Sequence, residues 1–310
     1  MLRSLSSMLL LGVWLLVSCY TATESTPRIK VDKEVAMHVP TAEELVMDSN
    51  FVDYGCHKWI EGKVFASIDD RLSPMLRPEG GVARVDSGFM GKDFVYRGFR
   101  EENTYGNKAV VYLLFECEGL MYSYFTGKSL LEIEQSAYMP LIPSLVDMDD
   151  VEMARRLFVG KCLYILSNQW YDANGELMGG RQLVPVTIID VCPGNRALPL
   201  AVVFTDERGV TAHVYMSDES SLHTQMLSFD RLFTYSNPRD AYPTIEDNVW
   251  CAITEGRLVR GMTQMECRLS IGFPAEVKKA GTYSGVKEQW LYHTGAYLFF
   301  SDGLLEEYRL

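Results

Sequence analysis

Several short stretches hold residue types that could do chemistry, and each can be weighed by spacing alone. Phe125-Thr126-Gly127-Lys128-Ser129 ends like a phosphate-binding loop. That loop needs a second glycine five positions before Gly127 to free its backbone N–H groups, and Tyr122 stands there, so the stretch reads as a strand-ending turn. Cys56-His57 pairs a thiol with a base, but neighbours in an extended chain point to opposite faces. Asp147-Met148-Asp149-Asp150 offers three carboxylates. A calcium loop begun at Asp147 would need glycine and glutamate where Glu152 and Phe158 stand, so helix capping is the better reading. His38, His57, His213, His223 and His293 never recur at a spacing of four. There is no Cys-x-x-Cys pair, no cysteine–histidine set at zinc spacing and no Gly-x-Ser-x-Gly elbow. The chain therefore reads as a non-enzyme with no cofactor or metal; the alternatives are a module that binds a glycan or peptidoglycan in a groove between two β units, and a hydrolase whose carboxylates pair only in space. Trp290 and Tyr292 alternate onto one face of a strand, either as core or as an aromatic binding face; they are the candidate binding residues.

One cysteine stands apart. Arg3 is followed by an apolar stretch from Met8 to Val17, the charged and hydrophobic regions of a secretory signal over residues 1–18. The stretch is too short to span a bilayer, which takes ~20 residues. Leu16-Val17-Ser18-Cys19 resembles the lipobox of bacterial lipoproteins, which implies that Cys19 carries fatty acyl chains such as palmitate. Two or three chains at about 0.8 kcal/mol per buried methylene anchor a protein durably to a membrane. The polar run Thr21 to Pro27 has the composition of a flexible tether, placed at residues 19–50 and containing one short helix, Ala42 to Met47, opened by Thr41 with Glu44 three residues on.

The body is acidic, with a formal charge of −12. That repels nucleic acid and anionic head groups, so the expected partners are the membrane, through Cys19, and an envelope protein. Cys56, Cys117, Cys162, Cys192, Cys251 and Cys267 could form disulfides in an exported protein or serve as small buried apolar groups.

The elements that must position these residues are mostly short strands bounded by turns. Gly62-Lys63 opens one β unit, over residues 51–133, and Gly160-Lys161 opens another, over 150–235, with 134–149 as linker and a short helix from Val151 to Phe158 capped by Asp149 or Asp150. Asn174-Gly175 marks a hairpin. Two units of five or six strands fit small barrels or sandwiches, and their Gly-Lys strand starts are similar to those of SH3-like barrels. In residues 236–310, Ile245 to Ile253 carries a helical stripe that Gly256 stops. Thr263 with Glu266 opens a second helix that ends at Gly272 and Pro274. Strands at Gln289–Tyr292, Ala296–Phe300 and Leu304–Leu305 complete a segment, from 245 on, expected to fold on its own.

The stretches RGMTQMECRLSIGFP (260–274) and KEQWLYHTGAYLFFSDGLL (287–305) resemble the SmpA/OmlA family of small outer-membrane lipoproteins. The shared features are the Gly-Met-Thr helix start, the Gly-x-Pro stop, the Trp-x-Tyr strand and the following Phe and Gly turn. The resemblance implies an ααβββ domain, the unit that also resembles half of the proteinaceous β-lactamase inhibitors, and an outer-membrane location. The whole arrangement is similar to the multi-domain lipoproteins of Bacteroidetes-type bacteria. Surface-exported members of that group resemble one another in an acidic patch after the cysteine. Only Glu24 follows here, which implies a periplasm-facing chain. The expected fold is thus mainly β with an α+β C-terminal domain: two SH3-like or sandwich-like units and then the ααβββ domain. Mass spectrometry of the mature protein is expected to find an acylated Cys19 at its N-terminus, and Cys19→Ser to release the protein from membranes. An unlipidated mature chain beginning elsewhere refutes this.

Overall fold

The computed structural model describes residues 39–51, 54–81, 87–103, 108–224, 227–282 and 285–310. Cys19, the signal segment 1–18 and the tether up to residue 38 lie outside them. The chain is mainly β, with short helices between and beside three antiparallel sheets. The first sheet holds β1 (Val64–Ser67), β2 (Leu76–Pro78), β3 (Asp93–Asn103), β4 (Ala109–Cys117), β5 (Leu120–Phe125) and β6 (Leu145–Asp147) in the order β2-β5-β4-β3-β1-β6. The second holds β7 (Cys162–Ile165), β8 (Val184–Pro193), β9 (Leu200–Asp206), β10 (Thr211–Met216) and β11 (Phe233–Thr234) in the order β10-β9-β8-β7-β11. Alternation of buried and open residues, clear in β10, sets one face of each strand against a core.

With β2 set aside, the two orders are the same: fourth, third, second, first and fifth strand. The backbone repeats in finer detail. The Gly62 N–H donates to Tyr96 C=O at 2.9 Å, and the Tyr96 N–H returns to Lys63 C=O at 2.8 Å. The Gly160 N–H donates to Ile188 C=O at 2.9 Å, and the Ile188 N–H returns to Lys161 C=O at 3.0 Å. Both glycines have positive φ, +96° and +82°, which a side chain would resist. Each second strand then breaks register just beyond the shared pair, between Tyr96 and Phe99 and between Ile188 and Asp190. The two Gly-Lys openings thus hold matching positions in matching frames.

Helices join these sheets. α1 (Ala42–Asn50) carries the capping box of Thr41 and Glu44. It is docked rather than part of a tether: Met47 is buried in the core of the second sheet, and Thr234 Oγ1 donates to Glu43 Oε1 at 2.9 Å. Residues 134–149, expected as linker, finish α2 (Leu130–Ser136) and supply β6, which pairs with β1. α3 (Met148–Phe158) starts one turn earlier than expected, because Asp147 is its N-cap and accepts from the Asp149 N–H at 3.0 Å. The small α4 (Phe229–Leu232) leads into β11.

The C-terminal part contains α5 (Asp247–Thr254), α6 (Gln264–Ile271) and a third sheet of β12 (Glu276–Thr282), β13 (Gly285–Leu291), β14 (Tyr297–Ser301) and β15 (Leu304–Arg309), paired in chain order. The sheet has four strands where three were expected. β12, polar and Lys-rich, lacks the apolar alternation that marks a strand in sequence. Trp290, Leu298, Phe300 and Leu305 pack with Ile253, Met262 and Cys267 in one cluster. That cluster also takes in Leu183 from the second sheet's long loop, and Gln182 Nε2 donates to the carbonyls of Ile253, Leu269 and Ser270 at 3.1, 2.9 and 2.7 Å. Contacts therefore run across the expected boundary, and residues 40–310 form one compact unit. All six described cysteines are free thiols. Among the described residues no helix is long and apolar enough to cross a membrane.

Trp290→Ala empties a fully buried site and is expected to cost about 3–5 kcal/mol. Thr263→Ala removes only a cap, at about 1 kcal/mol. Denaturant unfolding of the two variants measures the contrast.

Candidate functional site

The stretches with chemical potential are occupied by structural work. Cys56 opens a 3₁₀ turn, Cys56–Lys58, and burial pushes its thiol up to about 11, so it stays protonated. Thr126 Oγ1 donates to Val111 C=O at 2.7 Å, and Ser129 caps α2. Glu132 accepts the Ser129 N–H at 2.7 Å, which together with Lys108 holds its carboxyl down at about 2. A carboxylate thus already fills the helix end where a phosphate would sit. Lys63 reaches Asp147 at 2.6 Å and also pairs with Asp149. Burial pushes the Asp147 carboxyl up against the pull of Lys63. Among the described residues no group of three or more His, Cys, Asp or Glu is placed to hold a metal ion.

Trp290 and Tyr292 do not form an exposed face. Alternation puts them on the side of β13 that the helices cover. Trp290 is fully buried, with its Nε1 donating to Glu288 Oε2 at 3.3 Å and the Arg268 guanidinium 4.9 Å from its ring centre. Tyr292 is half-buried and donates to Gly272 C=O at 3.2 Å, and burial pushes its hydroxyl up to about 12. The aromatic pair on the other face is Tyr297 and Phe299, 5.4 Å apart.

The second sheet assembles a different aromatic group. Residues 166–183, between β7 and β8, run out and back as a long loop. Tyr171 and Leu177 pair across the Asn174-Gly175 turn, so the hairpin signal marks the loop's tip. The loop then docks on the free edge of β10: the Tyr171 N–H donates to His213 C=O and the His213 N–H to Tyr171 C=O, both at 2.9 Å. On β10, Ala212, Val214 and Met216 face the core, so Thr211, His213 and Tyr215 face out. The Tyr171 and Tyr215 rings meet edge-on at 4.9 Å, and those of His213 and Tyr215 at 4.8 Å. Gly175 takes φ +80°, which a side chain would resist, and Tyr215 Oη lies a tight 3.2 Å from where its Cβ would stand.

Beside this trio opens a cavity of about 490 Å³, walled by the loop tip at 173–175, by Cys192, Pro193 and Gly194 at the end of β8, and by His213 and Tyr215. Its lining carries no Asp, Glu, Lys or Arg. Burial lowers the proton affinity of His213, against a pull from Asp172, which favours a neutral imidazole. Burial, with Tyr171 alongside, raises the Tyr215 hydroxyl. The arrangement offers ring faces and neutral donors and acceptors, the equipment of a binding pocket. Strand alternation makes the outward pairing of His213 and Tyr215 legible in sequence. The arrival of Tyr171, 42 residues before His213 in the chain, is not.

No family model, curated protein or solved structure matches this chain. The pocket's own chemistry must supply the reading.

Because burial lowers the proton affinity of His213, the unfolded chain binds the extra proton first as pH falls below the usual histidine value of about 6.5. The stability carried by the neutral ring is complete above that value and is lost below it. His213→Gln is therefore expected to flatten the fall in melting temperature between about pH 7 and pH 5.5, where histidine titrates and most carboxyls do not. Equal slopes for both proteins would refute it.

Proposed function

We propose that this chain is a non-enzymatic cell-envelope lipoprotein, held to the outer membrane through acylated Cys19 and facing the periplasm, that captures an extended segment of a protein partner. The observation that carries the reading is the docking of the long loop on β10, where Tyr171 braces the His213 and Tyr215 rings that line an uncharged cavity in a body of net charge −12. Tyrosine is enriched among residues that dominate binding energy, since it buries much area at small entropic cost. An uncharged, aromatic-lined groove between two loops of a small β unit suits an extended peptide backbone.

The finer fold belongs to the same proposal. Two SH3-like units are supported by the repeated order of five strands, each with a long loop after the first strand and a short helix before the fifth. An SmpA/OmlA-like C-terminal domain is supported by two helices laid on an antiparallel sheet around Trp290. In this reading the acidic body disfavours nucleic acid, and the C-terminal domain extends the scaffold.

The test is site-specific photo-crosslinking from Ala173, at the exposed loop tip, in the native envelope. A discrete partner is expected, with attachment mapped to one extended segment. A synthetic peptide of that segment should bind at least about tenfold more weakly to Tyr215→Ala than to the native protein, at unchanged melting temperature. Undiminished affinity in the Tyr215→Ala and Tyr171→Ala variants would overturn the assignment.

A further inference from the structure

A second, separate cleft of about 650 Å³ opens where the chain enters β1. The segment 54–63 forms one wall and the first turns of α3 the other. Its volume falls within the roughly 300–1,000 Å³ of small-ligand sites. Three of its properties restrict what could occupy it.

The first is an exposed, largely apolar shelf. Tyr54 is 55% exposed and Ile60 80% exposed, and both line the cleft with half-buried Trp59; Lys58 Nζ lies 5.2 Å from the centre of the Tyr54 ring. Trp59 is held edge-on by Tyr96 at 5.5 Å, so this shelf has a rigid floor. The second is charge balance. Lys58, Lys63 and Arg156 face Glu61 and the three aspartates at the start of α3, and Lys63 is already paired with Asp147 and Asp149. Neither an anion nor a cation gains much from a cleft so nearly neutralised. The third is spare hydrogen-bonding capacity: among the described residues the side chains of Glu61 and Arg156 carry no hydrogen bond or ion pair.

A purely apolar ligand would strand these polar groups without partners, and a charged one would meet both signs, three cationic and four anionic side chains. A neutral polyhydroxylated ring satisfies all three properties. Its C–H face lies on an aromatic ring whose face is electron-rich. Its hydroxyls donate to the Glu61 carboxylate and accept from Arg156 and Lys58. We infer that this cleft binds a neutral oligosaccharide, at a site distinct from the Tyr171–His213–Tyr215 pocket.

The test is saturation-transfer NMR on the full chain in detergent, with maltotriose, cellotriose and N-acetylated chitotriose as probes. Transfer to the ring C–H protons of at least one trisaccharide is expected. It should be lost in Tyr54→Ala and weakened about tenfold or more in Glu61→Gln, both exposed positions, with the melting temperature unchanged. Tyr215→Ala should leave the transfer intact, which separates this site from the peptide pocket. Absence of transfer from all three sugars at millimolar concentration overturns the inference, and so does transfer that survives both Tyr54→Ala and Glu61→Gln.

Discussion

Trp170 lies flat against the backbone of Gly180, where a Cβ would come within 1.9 Å of ring carbon Cδ2. The ring also meets Phe204 edge-on at 5.1 Å, and its Nε1 donates to Ser167 C=O at 2.8 Å. This contact pins both limbs of the long loop to the second core at once. Tyr171 follows Trp170 and reaches β10; Arg181 and Gln182 follow Gly180 and reach outward. Arg181 pairs with Asp206 at 2.8 Å, both side chains almost wholly buried, and Asp206 also accepts from the N–H groups of Arg208 and Val210 at 2.9 Å each. Despite burial, these bonds hold the Asp206 carboxyl below its ordinary value. Such a pair contributes little over an apolar substitute, but loss of one partner strands a buried charge. Gln182 Nε2 then lays its two N–H groups among the carbonyls of Ile253, Leu269 and Ser270 at the C-terminal ends of α5 and α6. One loop, fixed by one ring on one glycine, therefore builds the aromatic pocket and attaches the C-terminal helices.

The two sites divide the polar chemistry of the molecule between them. Around Tyr215 no charged side chain lines the cavity, and burial keeps the one titratable base neutral. Around Tyr54 charges are plentiful but of both signs, three cationic and four anionic. Neither lining adds much local charge to the field of a body carrying −12.

Local signals were legible in the sequence because they act over three or four residues. Thr263 and Glu266 form the capping box their spacing requires, Asn174-Gly175 forms the turn, and Gly256 and Gly272 take the positive φ that ends α5 and α6. Pairings set by tertiary contact were not legible. β12 exists because Val277 and Lys279 find Trp290 and Glu288 across the ladder, not because its own residues favour a strand. α1 looked like part of a tether because one buried methionine, Met47, is all that its sequence shows of its docking. The phase of alternation was readable at Trp290 and Tyr292, but which phase faces the helices is decided only by where α5 and α6 lie.

At the edge of the fourth strand the second β unit leaves an open space that the first one fills. In both, the long loop after the first strand returns to pair with the fourth. In the second sheet this is the single Tyr171–His213 bridge, and in the first it has grown into β2, with Leu76 opposite Tyr124. That longer pairing closes the equivalent space. Leu76, Tyr122 and Tyr124 are all buried, and Phe89 and Phe94 both crowd edge-on against Tyr122 at 6.1 and 5.5 Å. The aromatics that would have lined a pocket became core. In the second unit the loop touches its edge strand at one residue and turns away at Gly175, so His213 and Tyr215 keep one side open to the cavity. The same backbone frame thus yields a filled edge in one unit and an open one in the other, and the difference lies in how many residues of one loop join the sheet.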